Sequence, residues 1–264
     1  MVDPKRVVFY IGAHQDDWQL FMSPQAITDL NDEAATNIFI YITAGDAGVD
    51  PAWRRGRSAG ALSSLQFAKR QPIKPLTPEL VTVQGHPIAC FTIANTRSYF
   101  LDLPDGNMDG SGFPATGSQS IQLLHEGKLA AINALVDEPL YTTAYTAWDD
   151  LVATLRALIK HELAAVQDKE YTVHILDPRE SRHSDHKFTG FLVNDALADA
   201  TGYHLAMYEE YIIPDKAPNV SGIDLVIKSG LYLFYAQTAF EYSGQVGHFD
   251  DWHLSFLPRQ YRTQ

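Results

Sequence analysis

The ten residues from Gly12 to Phe21, GAHQDDWQLF, place a histidine and two adjacent carboxylates directly after the apolar run VVFYI. The side chains able to do chemistry are those of His14, Asp16 and Asp17. Neighbouring ionised carboxylates repel each other, and each is costly to remove from water without a positive charge beside it. The stretch is therefore either a solvated turn, in which one Asp caps the next helix, or a site that holds a cation.

A second cluster of the same kind occurs late in the chain, where RHSDH follows the run YTVHIL. It contributes His183, Asp185 and His186. In open α/β sheets ligands bind beyond the carboxyl ends of the strands, and both clusters follow predicted strands. A solvated loop is the alternative for RHSDH taken alone. Two such clusters at two strand ends favour one shared site.

These residue types are suited to holding a catalytic metal. Two imidazoles and a carboxylate, with one position open to water, form a typical catalytic zinc site. His14 and Asp17 are three residues apart and can converge on one ion from a turn that leads into a helix. Asp16 would then lie near the metal without binding it. A free carboxylate there can act as a general base on a water that the metal activates.

The elements that must position the two clusters alternate between apolar strands and helices. Strands are predicted at 6–13 and 37–44, and helices follow them at 18–30 and 52–69. This alternation predicts a parallel sheet with helices on both faces. The remaining predictions are strands at 79–84, 88–93, 97–103, 171–177 and 203–208, helices at 147–167 and 187–200, and a long polar loop at 104–120, with 79–84 and 88–93 paired as a hairpin.

Composition narrows the class of protein. The 264 residues, 45% of them hydrophobic, can form one sizeable α/β core. A net charge of -12 argues against a nucleic acid or an anionic membrane as partner. Because Cys90 is the sole cysteine, a disulfide within the chain and a Cys-based zinc cage are excluded. The sequence shows neither a signal-peptide pattern nor the roughly 20 apolar residues of a membrane span, so we expect a cytoplasmic protein.

Four blocks of the sequence resemble the PIG-L/LmbE-like N-deacetylases. AHQDD is similar to the first signature of that family, and HSDHKFTG is similar to the second. YITAGDAG and FLDLPDGN resemble two weaker blocks in the same order, and together the blocks span residues 7 to 190. The resemblance implies a Rossmann-like, LmbE-like domain over 1–264, with a motif-bearing core at about 5–210 and a loop-rich C-terminal extension at 211–264. It also implies a metal-dependent hydrolase that removes an acetyl group from an amino sugar or a sugar-containing metabolite.

The resemblance also implies roles for individual residues. His14, Asp17 and His186 match the metal ligands, and Asp16 matches the general base. His183 matches the histidine that stabilises the oxyanion or protonates the leaving amine, and Asp185 would orient a neighbouring imidazole. The implied cofactor is one divalent metal ion, zinc in the first place, with iron, manganese and cobalt as alternatives. The implied partner is a small N-acetylated substrate. Whether the chain also forms a homo-oligomer is left open.

The chain also departs from the family pattern. Gln15 replaces the usual proline after the first histidine, and Trp18 replaces the usual glutamate after the aspartate pair. These positions do not supply ligands, so the metal site is expected to survive. The segment RRGRSAG offers three arginines without the family's glutamate. The predicted substrate-binding residues are Arg54, Arg57 and Asp105.

Two further motifs have plainer interpretations. The segment DGNMDGSG at 105–112 matches half of a calcium-binding loop, but Thr116 stands where that loop needs glutamate, so a Gly/Asp turn is favoured. The segment HFDDWH at 248–253 contains metal-binding residue types, but a surface loop anchored by Trp252 is favoured there. Competing functions are a hydratase or lyase on the same metal site, a catalytically inactive metal-binding homologue and, more weakly, a phosphohydrolase. Retention of Asp16 argues against the inactive homologue.

Overall fold

The computed structural model describes residues 6–164 and 170–263, and its centre is a seven-stranded sheet. The strands in chain order are β1 (Arg6–Gly12), β2 (Ala35–Thr43), β3 (Glu79–Val83), β4 (His86–Ile93), β5 (Thr96–Leu103), β6 (Ile132–Asn133), β7 (Ala144–Tyr145), β8 (Tyr171–Leu176) and β9 (Tyr203–Tyr208). β6 and β7 pair with each other, and the other strands follow the order β3-β4-β5-β2-β1-β8-β9. Pairing is parallel from β5 to β9 and antiparallel from β3 to β5.

Helices cover both faces of this sheet. They are α1 (Asp17–Phe21), α2 (Gln25–Asn31), α3 (Pro51–Ala68), α4 (Ile121–His125), α5 (Trp148–Leu163), α6 (Ser184–Leu197), α7 (Gly222–Ser243) and α8 (Asp251–Leu254). Successive side chains of a strand point to opposite faces. In β1, Val7, Phe9 and Ile11 pack in the core that α5 and α6 cover, while Val8 and Tyr10 pack in the core that α3 and α7 cover. Because both faces are buried, the strand is apolar throughout, which explains the run VVFYI.

The predicted mostly parallel α/β sheet is confirmed, and every predicted strand lies within two residues of the observed one. The helix predicted at 18–30 is instead two helices, α1 and α2, separated at Pro24. Proline lacks the N–H that a helix interior needs, and it restricts the residue before it. The helix predicted at 147–167 is α5 (Trp148–Leu163), and the last predicted residues, 165–167, lie outside the described residues.

The C-terminal extension contains more helix than predicted, because α7 is 22 residues long. Its apolar residues lie all around the helix, and Ile223, Val226 and Leu233 are exposed. No single apolar stripe therefore identifies it in the sequence. α7 lies very close to α3, since a Cβ atom added to Gly60 would lie 2.6 Å from the carbonyl oxygen of Tyr235. This close packing supports our proposal that the chain forms one domain.

None of the helices in the described residues is both long enough and apolar enough to cross a membrane.

Candidate active site

The turn after β1 brings His14 and Asp17 to the same side of the chain. The Asp17 Oδ2 atom accepts a hydrogen bond of 2.9 Å from the His14 backbone N–H, which folds the carboxylate back over the turn. A Cβ atom added to Gly12 would lie 3.0 Å from the same oxygen. Glycine at this position therefore leaves room for the Asp17 carboxylate. Asp16 occupies the N-cap position of α1, but its side chain makes no capping hydrogen bond. The helix-cap interpretation of these carboxylates is therefore wrong.

Three atoms that could bind one metal ion come from two distant segments and meet at the carboxyl edge of the sheet; we call them the ligand triangle. His14 Nδ1 lies 3.1 Å from His186 Nε2, which lies 3.1 Å from Asp17 Oδ1. The third side of this triangle, from His14 Nδ1 to Asp17 Oδ1, is 3.9 Å. Ligands about 2.1 Å from a tetrahedral zinc ion stand about 3.4 Å apart, so one ion fits all three atoms. Two imidazoles and one carboxylate are also the donor set of catalytic zinc and non-haem iron sites.

The charge around this triangle favours a cation. All three side chains are buried. Burial opposes a charged imidazole, but Asp17 and Glu210 outweigh it and raise the pKa of His186 well above its usual value. The pKa of His14 is also raised against the effect of burial, through Asp185, Asp105 and Asp17. The site therefore attracts positive charge, whether it is carried by protons or by a metal ion.

Glu210, which the sequence analysis did not identify, supports the ligand His186. Its Oε2 atom lies 3.2 Å from His186 Nδ1, and its side chain is fully buried. The backbone N–H groups of Arg182 and Tyr211 donate to this carboxylate at 2.5 and 2.9 Å. A carboxylate behind a metal-binding histidine orients the ring and raises its basicity. Its position just after β9 was the available signal, because that strand also ends at this edge of the sheet.

Asp185 occupies the corresponding position behind His14. Its Oδ2 atom lies 3.2 Å from His14 Nε2, and both of its oxygens accept from the Gly106 backbone N–H at 3.1 and 3.0 Å. A Cβ atom at position 106 would lie 2.4 Å from Asp185 Oδ1, so this contact requires glycine. Burial raises the pKa of Asp185 to about 6, while the hydrogen bond from His14 opposes the rise. Asp185 is thus placed to orient His14 and does not face the cavity.

Asp16 faces the cavity beside the ligand triangle and pairs with an arginine. Arg57 Nη2 donates to Asp16 Oδ1 at 2.6 Å. Burial would raise the pKa of Asp16, but Arg57 and, after it, His248 bring this pKa well below its usual range. Arg57 comes from α3, one of the helices that the C-terminal helix α7 covers. Asp16 is therefore an ionised carboxylate near the ligands and not one of the three.

His183 also lines the cavity, and one hydrogen bond indicates the tautomer of its ring. Its Nδ1 atom accepts a hydrogen bond of 3.1 Å from the Asp185 backbone N–H and so caps α6. In a neutral ring the proton must then be on Nε2, which lies 4.0 Å from Asp105 Oδ1. Burial, followed by the nearby His14, lowers the pKa of His183 well below its usual value. His183 therefore presents a neutral N–H donor to the cavity.

The structure separates the three residues predicted to bind substrate. Arg57 and Asp105 line the same cavity as the ligand triangle. Arg54 points into a neighbouring cavity of about 680 Å³, where it donates to Asp137 at 2.7 Å and to the carbonyl of Leu135. We therefore leave Arg54 out of the proposed substrate contacts.

The cavity at the ligand triangle has a volume of about 250 Å³ and an aromatic rim. The predicted polar loop contributes Met108 and Phe113 to its wall. The C-terminal extension contributes Tyr211, Trp252 and His253. Trp252 is 48% exposed, and its ring lies 4.9 Å from that of Tyr211. The buried part of the cavity thus combines the polar groups of the candidate site with Leu20 and Phe21, while exposed residues such as Met108 and Trp252 lie at its mouth.

The structure also places the two remaining sequence motifs, the Gly/Asp segment at 105–112 and the segment at 248–253. In the loop at 105–112, Asp105 accepts from the backbone N–H of Asn107 at 2.8 Å, and Asp109 accepts from that of Ser111 at 3.0 Å. These are the local bonds of a Gly/Asp turn, as predicted. The segment at 248–253 forms part of the cavity wall and not a plain surface loop, because its His248 is buried beside Asp16.

Comparison with known proteins identifies the family. The family model of the PIG-L, GlcNAc-PI de-N-acetylases matches residues 9–197. This match covers well over half of the chain and includes both His/Asp signatures. The protein therefore belongs to the PIG-L family of sugar N-deacetylases, and it is a deacetylase. No curated protein matches the chain.

Several solved structures resemble the fold. The N,N'-diacetylchitobiose deacetylase from Pyrococcus horikoshii, in complex with an inhibitor, is 17% identical with a TM-score of 0.49, and the match covers 96% of this chain and 75% of that one. The zinc-inhibited form of the teicoplanin deacetylase Orf2 is 12% identical with a TM-score of 0.44, covering 89% and 84%. A deacetylase–teicoplanin complex is 13% identical with a TM-score of 0.45, covering 93% and 91%. Similarity at this level defines neither a substrate nor a mechanism for this chain.

Proposed function

We propose that the protein is a metal-dependent hydrolase that removes the acetyl group from an N-acetylated amino sugar or a sugar-containing metabolite. The observation that carries this proposal is the triangle of His14 Nδ1, Asp17 Oδ1 and His186 Nε2, with the Asp16 carboxylate beside it and outside the triangle. A purely structural metal site has no need of that additional carboxylate. The family match independently supports removal of a sugar N-acetyl group.

His14, Asp17 and His186 would hold one divalent ion, and zinc suits this donor set best. Iron shares the preference for two histidines and a carboxylate, and cobalt and manganese are further alternatives. When bound, such an ion polarises the amide carbonyl and makes water more acidic. Glu210 and Asp185 keep the two histidine rings oriented, because each lies behind one ring nitrogen at 3.2 Å.

The remaining steps are assigned to side chains that face the cavity. Asp16 takes a proton from the attacking water and returns it to the leaving amine. Arg57 holds Asp16 by one oxygen, so the other oxygen remains available for the proton. His183 donates from Nε2 to the oxygen that becomes negative as the water adds to the carbonyl. One donor of this kind is typically worth about 10²–10³ in turnover.

The shape of the cavity indicates the size of the substrate portion that enters it. Drug-sized ligands occupy pockets of about 300–1,000 Å³, whereas this cavity has about 250 Å³. We propose that one N-acetylated sugar unit enters, with the acetamide at the polar groups of the candidate site and the rest of the substrate across the aromatic rim. Tyr211 and Trp252 then contact the sugar ring or its substituent.

The first experiment measures metal content and acetate release on wild type and His186→Ala. We expect about one zinc or iron per chain in the wild type, lost in the variant together with acetate release from N-acetylhexosamine-containing probes. His86→Ala is the matched control, because His86 is also buried but bonds to Thr143 and Asp150 away from the cavity. Full metal content in His186→Ala would refute the assigned ligand set. Metal binding with turnover of a probe but no acetate would favour the hydratase or lyase alternative.

A further inference from the structure

A second group of side chains that could bind a metal lies beside the cavity and is distinct from the ligand triangle. One carboxylate oxygen of Asp16 and one ring nitrogen each of His248 and His253 lie within 4.8 Å of one another. Asp16 Oδ2 and His248 Nδ1 are 3.7 Å apart. Two imidazoles and a carboxylate form this set, as in the first site. Zinc ligands stand about 3.4 Å apart, so the three atoms must approach one another by up to about 1.4 Å to hold one ion.

His248 has an unsatisfied nitrogen that faces Asp16. The residue is 3% exposed, and its ring stacks on Trp53 at 4.7 Å with an interplanar angle of 6°. Its Nε2 atom lies 3.2 Å from the Tyr235 hydroxyl, and its carbonyl accepts from the Tyr232 hydroxyl at 2.8 Å. Its Nδ1 atom has no hydrogen-bond partner within the described ranges. A buried polar atom without a partner is costly, and a bound cation would satisfy it.

His253 is already held in the way that a metal-binding histidine is held. Its Nδ1 atom lies 2.8 and 2.9 Å from the two carboxylate oxygens of Asp250. Asp250 also accepts from the His253 backbone N–H at 2.8 Å and caps α8, so the pair is fixed to one turn. Carboxylate support of one ring nitrogen is the usual arrangement behind a metal-binding histidine. Nε2 is then the ring nitrogen left for a further ligand, and His253 lines the cavity.

The second set differs from the first in its electrostatic surroundings. Arg57 already binds the other oxygen of Asp16 at 2.6 Å, and its positive charge repels a divalent cation. The ligand triangle, in contrast, has the carboxylates of Glu210, Asp185 and Asp105 close to its histidines. A cation therefore fills the triangle first and the second set only at higher concentration.

We propose that Asp16, His248 and His253 bind a second divalent transition-metal ion of the zinc type, more weakly than the ligand triangle does. Occupancy of this site engages Oδ2 of Asp16, so excess zinc inhibits the deacetylase. The binding of the second ion stands on this geometry alone, whereas its inhibitory effect rests on the proposed function.

The test is equilibrium dialysis of the metal-free full chain against increasing zinc, with wild type, His248→Phe, His253→Gln and His186→Ala. His248→Phe keeps the ring that stacks on Trp53 but removes both nitrogens. We expect two zinc ions per chain in the wild type at high zinc, and one tightly bound ion in His248→Phe and in His253→Gln. His186→Ala should instead lose the tight ion and keep the weak one. Thermal unfolding of each variant establishes that it is folded, and His86→Phe is the control for loss of a buried imidazole.

Activity gives the second readout. Zinc concentrations that half-inhibit the wild type should rise at least tenfold in His248→Phe and His253→Gln, each compared with its own uninhibited rate. A single zinc in the wild type at every concentration would overturn the proposal and leave the proposed function standing. A weak second zinc that persists in both variants would also overturn it, because the ion would then bind elsewhere. Retention of the tight ion in His186→Ala would instead contradict the proposed function.

Discussion

Two regions of the chain build the cavity, and they are held in place by different forces. In the strand-end region, residues 13–17 and 182–186, backbone N–H groups and carboxylates fix the functional side chains. An example is the bond from the His14 N–H to Asp17. In the C-terminal wall, residues 211–257, edge-to-face ring contacts and helix packing hold most of the side chains. Hydrogen bonds add to this packing at His253, which Asp250 holds.

This difference means that the residues assigned to the reaction and the residues around them are held with different precision. Hydrogen bonds depend steeply on distance and angle, so they hold ligand atoms within a few tenths of an ångström. Packing between apolar groups is less directional, and volume-conserving changes are tolerated. Ligands and proton-transfer groups come mainly from the first region, whereas the second supplies the rim and the second set of metal-ligating residues. Variants in the first region should therefore change turnover most, and variants in the second should change stability or metal inhibition.

The largest effect is expected for Asp16→Asn. The substitution keeps the shape of the side chain but removes the carboxylate that is assigned to proton transfer. We expect kcat for acetate release to fall about 10³-fold, within the 10²–10⁴ range of general-base catalysis, while metal content stays near wild type. Asp29→Asn is the control, because Asp29 is a buried carboxylate that bonds to Arg6 and Tyr10 away from the cavity. A kcat within tenfold of wild type would exclude Asp16 as the base.

A somewhat smaller effect is expected for His183→Phe. The variant loses the Nε2 donor that faces the cavity, and we expect kcat to fall about 10²–10³-fold. It also loses the Nδ1 cap of α6, so the free energy of unfolding should fall by about 1 kcal/mol. His183→Asn distinguishes the two effects, since an asparagine can cap the helix from a shorter side chain. Restored stability with a persistently low kcat would support the donor role, whereas a normal kcat in the Phe variant would contradict it.

Glu210→Gln should weaken metal binding without abolishing it. The variant removes the charge behind His186, and substitutions of such supporting carboxylates typically cost about 10–100-fold in metal affinity. Zinc affinity is measured by competition with a chelator. Acetate release is measured at zinc concentrations that fill the ligand triangle but stay below the inhibitory range. The adjacent Glu209→Gln is the matched control, because Glu209 pairs with Lys216 instead. Equal zinc affinity in both variants would show that the contact between Glu210 and His186 has no effect on the metal.

The smallest effect on chemistry is expected for Gly60→Ala, which tests the packing of the C-terminal wall. The added Cβ would lie 2.6 Å from the Tyr235 carbonyl oxygen, so α7 must move away from α3. We expect the free energy of unfolding to fall by about 1–3 kcal/mol, with metal content retained. Ser58→Ala on the same helix is the control and should change stability by less than about 0.5 kcal/mol. Loss of metal from Gly60→Ala would mean that the two regions are less independent than the structure indicates.

The strand-end region was accessible to prediction because its signals are local. His14 and Asp17 follow β1 within five residues, and His186 lies ten residues after β8, at the start of α6. The topological rule for α/β sheets brings such positions together. Glu210 obeys the same rule after β9 but lacks a distinctive neighbour in the sequence. The break at Pro24 was also visible in the sequence, because a proline inside a predicted helix indicates that the helix ends or bends there.

The C-terminal wall was not predictable in the same way. Its helix α7 shows no apolar stripe, because one side packs on α3 while residues such as Ile223 stay exposed. The contact between His248 and Asp16 joins positions that are 232 residues apart, and no local pattern reports it. Such contacts depend on how the helices pack, which neither residue spacing nor composition specifies.

The single carboxylate of Asp185 bonds at once to His14 and to the first turn of the loop that begins after β5. If the proposed metal site is filled, that loop and the metal are thermodynamically linked, since a ligand that binds only the folded arrangement stabilises every contact on which the arrangement depends. Metal loading should slow hydrogen exchange at the Gly106 amide. Exchange at this loop would therefore report whether the metal is bound, although the apolar rim residues of the loop are not among the proposed metal ligands.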